Sequence, residues 1–389
     1  MKVLFIHDGP IYTDNNNNYH GIDYNSELKK RYLQLGKSVS FLMRVDSLEK
    51  VKSRKLSEID NENFGVIKVP DFKSPKKYLK NKSKSKKIIK EAVLEHDILI
   101  IRLPSSIGIM AWKYAEKYNK RYIVELVACP YDGYRYHSNI GMLIAPYMWF
   151  RTKQIVNKSK YCIYVTESFL QKKYPTKGKE IGISDVIINK QNECNVKKRM
   201  KRIEEIDDNS TIILGTAAAV NMRYKGHEYV IEAIAKLIKS GYKIEYQLVG
   251  GGDNTYLRSI AEKHSVTGSI KFLGAKPNNE VLEWMDNIDI YIQPSLVDAC
   301  PRSVIEAMSR GCMCIGSDVG GIPELIDEEL IFEKANVNQI INLLQKVNKS
   351  LLLKQAKYSF RKVKSFEINE LNKKRHEFYK TFLREKRND

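Results

Sequence analysis

Residues 294–312 read P-S-L-V-D-A-C-P-R-S-V-I-E-A-M-S-R-G-C, and residues 316–324 read G-S-D-V-G-G-I-P-E. Pro301 suits the first position of a helix, because its missing N–H costs nothing there. Gly311 suits the end of that helix, where a left-handed residue is favoured. The free amides of such a helix start make an anion site, most often for phosphate. Asp298 stands ahead of the helix and Glu306 a turn or more inside it. Two carboxylates so placed can bond hydroxyls on either side of a bound phosphate. Phosphate between two polyols describes a nucleotide sugar.

Strand and helix signals alternate on both sides of this segment, which predicts parallel sheets with crossover helices. Strands are expected at 2–7, 39–44, 97–102, 121–127 and 161–166, with helices at 26–35 and 107–118. The same rhythm restarts with strands at 211–216, 244–250, 270–274, 288–294 and 312–317. Helices at 229–240, 255–264, 279–285 and 301–310 fall between them. The expected class is α/β, two Rossmann-like domains with parallel sheets facing across a cleft. Residues 1–190 form the N-terminal, acceptor-binding domain and 211–362 the C-terminal, nucleotide-sugar domain. The polar, poorly periodic stretch 191–210 serves as linker. Residues 363–389 form a terminal helix packing back on the N-terminal domain.

Length supports this division, since 389 residues suffice for two separate cores. No apolar run approaches the roughly 20 residues that span a bilayer. The N-terminal M-K-V-L-F-I-H-D is too short a run for a signal peptide before His7 and Asp8 interrupt it. The six cysteines lack paired spacing and read as buried thiols. These features place the protein in the reducing cytoplasm. The net charge of +20 comes with basic clusters at 73–90, at 197–202 and from 373 onward. An anionic membrane face attracts such clusters, which admits a peripheral position on the inner face of the plasma membrane. No aromatic-interleaved basic module or zinc motif appears, so nucleic acid is not expected as a partner.

Three further segments carry chemistry. N-M-R-Y-K-G-H-E at 221–228 follows a strand and precedes a helix, with Arg223 and Lys225 just ahead of Gly226. Cations there would offset the charge that gathers on a departing diphosphate. The run Gly250-Gly251-Gly252 also follows a strand, but the sixth position of G-x-G-x-x-G is Thr255, which argues against a dinucleotide enzyme. Its glycines let the backbone approach a nucleotide or the neighbouring domain. Residues 131–150, rich in Tyr, Trp, Met and Ile between Arg135 and Arg151, read either as core or as a membrane-interface stripe.

The block D298-x₇-E306, with P-S before it and E-A-M-x-x-G within it, resembles the E-x₇-E signature of family 4 retaining glycosyltransferases of GT-B fold. R-Y-K-G, V-G-G-G, F-L-G and G-G-I-P-E extend the resemblance over the second domain. H-D-G-P and Y-V-T-E-S-F-L-Q-K-K-Y-P (164–175) in the first domain look like enzymes that build bacterial surface polysaccharides. The resemblance implies that Asp298 bonds the donor sugar and Glu306 the ribose. It implies that backbone amides at Arg302 and Ser303 hold phosphate and that Lys276 marks a base-contacting backbone position. Gly9, Gly226, Gly250, Gly252, Ala299, Cys300 and Pro301 complete the implied donor-binding set. Arg223, Lys225, Asp298 and Glu306 form the implied catalytic set.

The chain departs from the family at four points. Asp298 is one methylene shorter than the usual Glu. Ala219 stands where a basic residue is usual, leaving Arg223 to compensate. Arg102 and Ala128 stand where many relatives carry His. Arg102, Glu125, Asp132 and His137 are therefore the acceptor-side candidates. The implied activity is transfer of a hexosyl group from a nucleotide-diphosphate sugar to a glycan or lipid-linked glycan, with retention. No cofactor and no metal are expected, and the sequence contains no D-x-D. A nucleotide-sugar epimerase of the same architecture and a non-catalytic membrane-surface protein are the alternative readings.

Overall fold

A computed structural model gives the fold and describes residues 1–21, 24–51, 56–72, 75–136, 139–188, 192–207 and 209–385. The chain divides into two compact units, one of Met1–Ile183 with Lys374–Asp389, the other of Ser184–Lys373.

The first unit contains strands β1 (Lys2–Thr13), β2 (Tyr19–Gly21), β3 (Ser38–Ser47), β4 (Ser57–Ile59), β5 (Phe64–Lys68), β6 (Ile98–Leu103), β7 (Arg121–Leu126), β8 (Tyr161–Tyr164) and β9 (Lys179–Gly182). Its helices are α1 (Ser26–Leu33), α2 (Pro75–Glu95), α3 (Ser106–Lys117), α4 (Pro130–Arg135), α5 (Asn139–Lys158) and α6 (Phe169–Lys173). The parallel strands run β5-β3-β1-β6-β7-β8-β9, and antiparallel β2 and β4 extend from the far end of β1. Residues 3–6 of β1 and 98–101 of β6 are fully buried and read as continuous apolar runs, as central parallel strands do.

β1 continues past the expected end at residue 7 because the pairing shifts between Ile6 and Pro10 rather than stopping. That irregularity leaves Asp8 buried at the start of α3. Its carboxylate accepts from the amides of Ser106 and Ile107, both at 2.7 Å, and from Ser105 Oγ at 2.9 Å. A charge read as an interruption is thus the cap of a helix.

The lysine-rich cluster forms α2, apart from Lys73, which lies outside the described residues. Ser85, Ile89 and Val93, four residues apart, form its fully buried stripe, and its lysines occupy the other faces. Within 131–150 the apolar stripe is part core and part exposed. α5 buries Gly141, Ala145 and Met148 and exposes Ile140, Leu143, Tyr147 and Phe150.

The second unit begins with α7 (Glu193–Glu204), followed by β10 (Ile212–Ala217), α8 (His227–Lys239), β11 (Ile244–Val249), α9 (Thr255–Lys263), β12 (Ile270–Gly274) and α10 (Asn278–Asp286). β13 (Ile290–Gln293), α11 (Arg302–Ser309), β14 (Met313–Ser317), β15 (Ile331–Phe332), α12 (Val337–Gln345) and α13 (Lys349–Val363) complete it. All its strands are parallel, in the order β12-β11-β10-β13-β14-β15. The order reverses between β10 and β13, where open sheets of this type hold their ligands.

Residues 191–210, expected as linker, instead supply α7. Arg199 carries its charge into the core, donating to the carbonyls of Arg310 (2.9 Å), Ile288 (2.6 Å) and Met285 (2.7 Å). Arg202 pairs with Asp289 at 2.9 Å. The apolar periodicity is weak because guanidinium groups do part of the packing. The terminal segment likewise starts earlier and breaks: α13 ends at Val363, and α14 (Ile368–Arg384) follows. Within the first unit, Phe378 and Phe382 pack edge-on against Tyr161, at 5.6 and 5.1 Å.

His227, the first residue of α8, is buried, with the Tyr246 hydroxyl at 3.2 Å and the Ala219 carbonyl at 3.4 Å. Burial pushes its pKa down to about 4. The unfolded chain therefore takes up this proton first, below about pH 6.5, and stability is lost as pH falls toward 4. Urea titrations of the protein should show a loss of about 3 kcal/mol across that window. His227→Gln should flatten the profile there; an unchanged slope would remove His227 as its cause.

Candidate active site

Two loops leave the sheet of the second unit at its switch point, one after β10 and one after β13. They are joined by backbone. The Leu296 amide donates to the Tyr224 carbonyl at 2.8 Å. Gly226 sits at φ +72°, and a Cβ there would lie 2.0 Å from the Pro294 carbonyl oxygen. Only glycine accepts both the conformation and the contact.

This junction brings Lys225 Nζ to 2.9 Å from Asp298 Oδ2, with both side chains largely shielded from solvent. Asp298 is also held from below. Gln293, at the buried end of β13, donates to it at 3.2 Å and to Ser295 Oγ at 2.9 Å. The Tyr291 hydroxyl donates to Gln293 Oε1 at 2.9 Å and accepts from the Ala217 amide at 3.2 Å. A chain of bonds thus runs from the end of β10 through β13 to the acid, and such chains rigidify what they reach. On the far side, Gly320 (φ +62°) lets the G-G-I-P-E turn close on the Asp298 carbonyl, where a Cβ would stand 1.4 Å away.

α11 begins at Arg302, with Pro301 as its cap residue rather than its first helical residue. Pro301 itself supplies no side-chain cap bond, and the first amides of a helix are the groups that meet a phosphate in sites of this kind. Ser303 Oγ reaches back to Gln293 at 3.4 Å. Ala299 and Cys300 lie in the loop between Asp298 and the helix, and burial raises the Cys300 thiol to about 12. Gly311 follows α11 in the left-handed conformation at φ +68°, as its sequence position suggests.

Glu306 projects from α11 and accepts from Asn278 Nδ2 at 2.9 Å. Burial raises its carboxyl above the ordinary range, while Asn278 and Arg302 draw it down. Asn278 opens α10, two residues after Lys276, which pairs with Glu280 at 3.3 Å. The fold therefore brings the segment following β12 to Glu306.

Arg223 is not part of the acid–lysine contact. Its guanidinium stacks on Tyr256 of α9, 4.1 Å from the ring centre. The glycine run serves a local approach: a Cβ at Gly250 would meet the Ala218 carbonyl at 1.8 Å, and one at Gly252 the Asn221 side chain at 2.4 Å. These glycines seat the loop after β11 on the loop after β10.

The remaining expected residues belong to the first unit. Gly9 lies under Tyr24, whose hydroxyl would be 2.4 Å from an added Cβ. Arg102 and Glu125 are buried and bond each other at 3.1 Å, with the Tyr32 hydroxyl donating to the same carboxylate oxygen at 2.8 Å. An acid so enclosed is an element of the core, and its assignment to the acceptor side is corrected accordingly. Asp132 pairs with Lys173 at 2.9 Å. His137 lies outside the described residues. Gln293, Tyr291 and Asn278 were not singled out by sequence; the available signal was a glutamine at the end of an otherwise apolar strand.

Known proteins resemble this chain in sequence and in fold. The profile of the family described as "Glycosyl transferases group 1" matches residues 196–361, which include both loops, α10 and α11. Protein CapJ of Staphylococcus aureus is 31% identical over 360 residues, 91% of this chain and 88% of CapJ. The amylovoran biosynthesis glycosyltransferase AmsK of Erwinia amylovora is 32% identical over 113 residues, 27% of this chain and 28% of AmsK. Among solved structures, Anabaena HepE in complex with UDP matches with a TM-score of 0.65 at 14% identity, over 98% of this chain and 100% of HepE. The two parallel-sheet units are those of the GT-B fold. The chain belongs to the group 1 glycosyl transferases.

Proposed function

We propose that this glycosyltransferase moves a hexosyl group from a nucleotide-diphosphate sugar to a lipid-linked glycan, with retention and without a metal, as a family 4 enzyme of surface polysaccharide biosynthesis. The observation that carries this reading is the 2.9 Å contact of Lys225 with Asp298, four residues ahead of the start of α11. Glu306 lies on that same helix. Lysine and acid neutralise each other until a donor arrives. A diphosphate would then draw Lys225 and the amides of Arg302 and Ser303, and Asp298 would be freed to hold sugar hydroxyls. Charge grows on the diphosphate as its bond to the sugar breaks, so cation and amides favour the transition state over the bound donor.

The ribose falls to Glu306, and the base to the segment around Lys276. Two hydroxyls and a carboxylate make strong, charge-assisted bonds, and burial of Glu306 strengthens them further. HepE, solved with UDP, supports a nucleoside diphosphate as the donor's leaving group. AmsK, named for amylovoran biosynthesis, supports a polysaccharide as the product. Position on the inner face of the plasma membrane follows from the lipid-linked acceptor and the +20 charge. No helix among the described residues is long and apolar enough to cross a membrane.

A thermal-shift screen against UDP-, GDP- and ADP-sugars should single out one nucleotide that raises Tm. Absence of any shift at millimolar nucleotide would refute the donor site. Lys225→Ala and Glu306→Ala should each lower transfer at least about 100-fold, the usual cost of losing one transition-state stabiliser, with Tm in buffer nearly unchanged. Full activity in either variant would remove that residue from the machinery. NMR of the product linkage should give the same anomeric configuration as the donor; the opposite configuration would exclude a retaining enzyme.

A further inference from the structure

Helices α2, α3, α4 and α5 of the first unit enclose a groove of about 1060 Å³. Small-ligand sites run to about 1,000 Å³, so the groove has room for an extended chain rather than one sugar ring. α5 lines it with the apolar residues Ile140, Ile144, Tyr147 and Met148, and α3 adds Ile109 and Met110. The same groove is lined by lysines: Lys82 and Lys86 stand one turn apart on α2, and Lys113 and Lys117 one turn apart on α3. No carboxylate lines the groove among the described residues. Lys86 and Lys113 are exposed and form no ion pair with any described residue.

Lys86 and Lys113 are thus like charges that an anion in the groove would find favourable. The apolar lining also has a continuation. Ile140 (66% exposed), Leu143 (82%), Tyr147 (55%) and Phe150 (58%) recur at three and four residues, so they form one face of α5. Ile140 and Tyr147 also line the groove. The groove therefore opens onto an exposed apolar stripe, the kind of surface that marks an interaction site.

We propose that this groove binds a lipid phosphate or diphosphate, with its apolar chain laid along α5 and its phosphate on the lysines of α2 and α3. The inference deepens the reading of a lipid-linked acceptor and rests on it for the ligand's identity as acceptor. Charge complementarity and the continuous apolar path select this occupant. A protein partner would leave four lysines beside an apolar lining, and a free anion would leave that lining unused.

The full chain would be titrated with farnesyl diphosphate, farnesol and inorganic diphosphate by calorimetry. Farnesyl diphosphate should bind at least tenfold more tightly than either fragment. The double variant Lys86→Glu/Lys113→Glu and the single variant Ile144→Glu should each weaken it at least tenfold. All three positions are exposed, so the fold should survive. The nucleotide-induced thermal shift, which belongs to the other unit, should be unchanged in both variants and serves as the control. No binding of farnesyl diphosphate, equal binding of inorganic diphosphate or of farnesol, or full binding in both variants would overturn the proposal. If nucleotides give no shift while farnesyl diphosphate binds as described, the donor reading fails and the groove stands.

Discussion

The contact between Lys225 and Asp298 depends on a close approach of two backbones that would be impossible with a side chain at residue 226. Gly226 lies against the Pro294 carbonyl, Leu296 bonds Tyr224, and the pair closes between them. The other contacts of the acid are arranged around that junction. The Tyr291–Gln293 chain holds the acid from within the sheet, and Gly320 lets the following turn cover it. Groups already held by such bonds cost less ordering when they bind a ligand.

The position of the junction follows from topology. Strand order reverses between the neighbouring strands β10 and β13, so the loops leaving them start side by side and meet at the switch point. The loop after β10 brings the lysine, and the loop after β13 brings the acid and the start of α11. Segments more than 70 residues apart in the chain thus act on one group. The first unit uses the same strand logic but spends its charges differently. Asp8 caps α3, and Arg102, Glu125 and Tyr32 satisfy one another in the core.

The central strands of the second unit were legible in sequence because they are short apolar runs, with Gly250 directly after β11 and Pro294 directly after β13. The spacing of Asp298, Pro301, Glu306 and Gly311 identified α11 and its two acids through local rules of helix capping. Legibility was lower where charged side chains replace apolar ones in packing. α7 escaped because Arg199 and Arg202 reach into the core, and α2 because its buried stripe is hidden among lysines. Arg102 and Glu125 drew attention because they stand on strands where the family resemblance places acceptor-side histidines; in the structure these neighbours in register pair with each other. Only the partner distinguishes a site from a buried pair, and partners are set by strand neighbours.

The sequence by itself determined the α/β rhythm and the helix α11 with Asp298 ahead of it and Glu306 on it, since these depend on residues within a turn or two of each other. Tertiary structure decided which cation meets which acid. Lys225 reaches Asp298, whereas Arg223, two residues earlier, turns to Tyr256. It also decided that α5 shows apolar side chains on its outer face beside a lysine-lined groove. The reason is one of range: helix signals act over a few residues, but pairing of charges and the solvent exposure of a helix face are fixed by whatever the sheet order brings alongside.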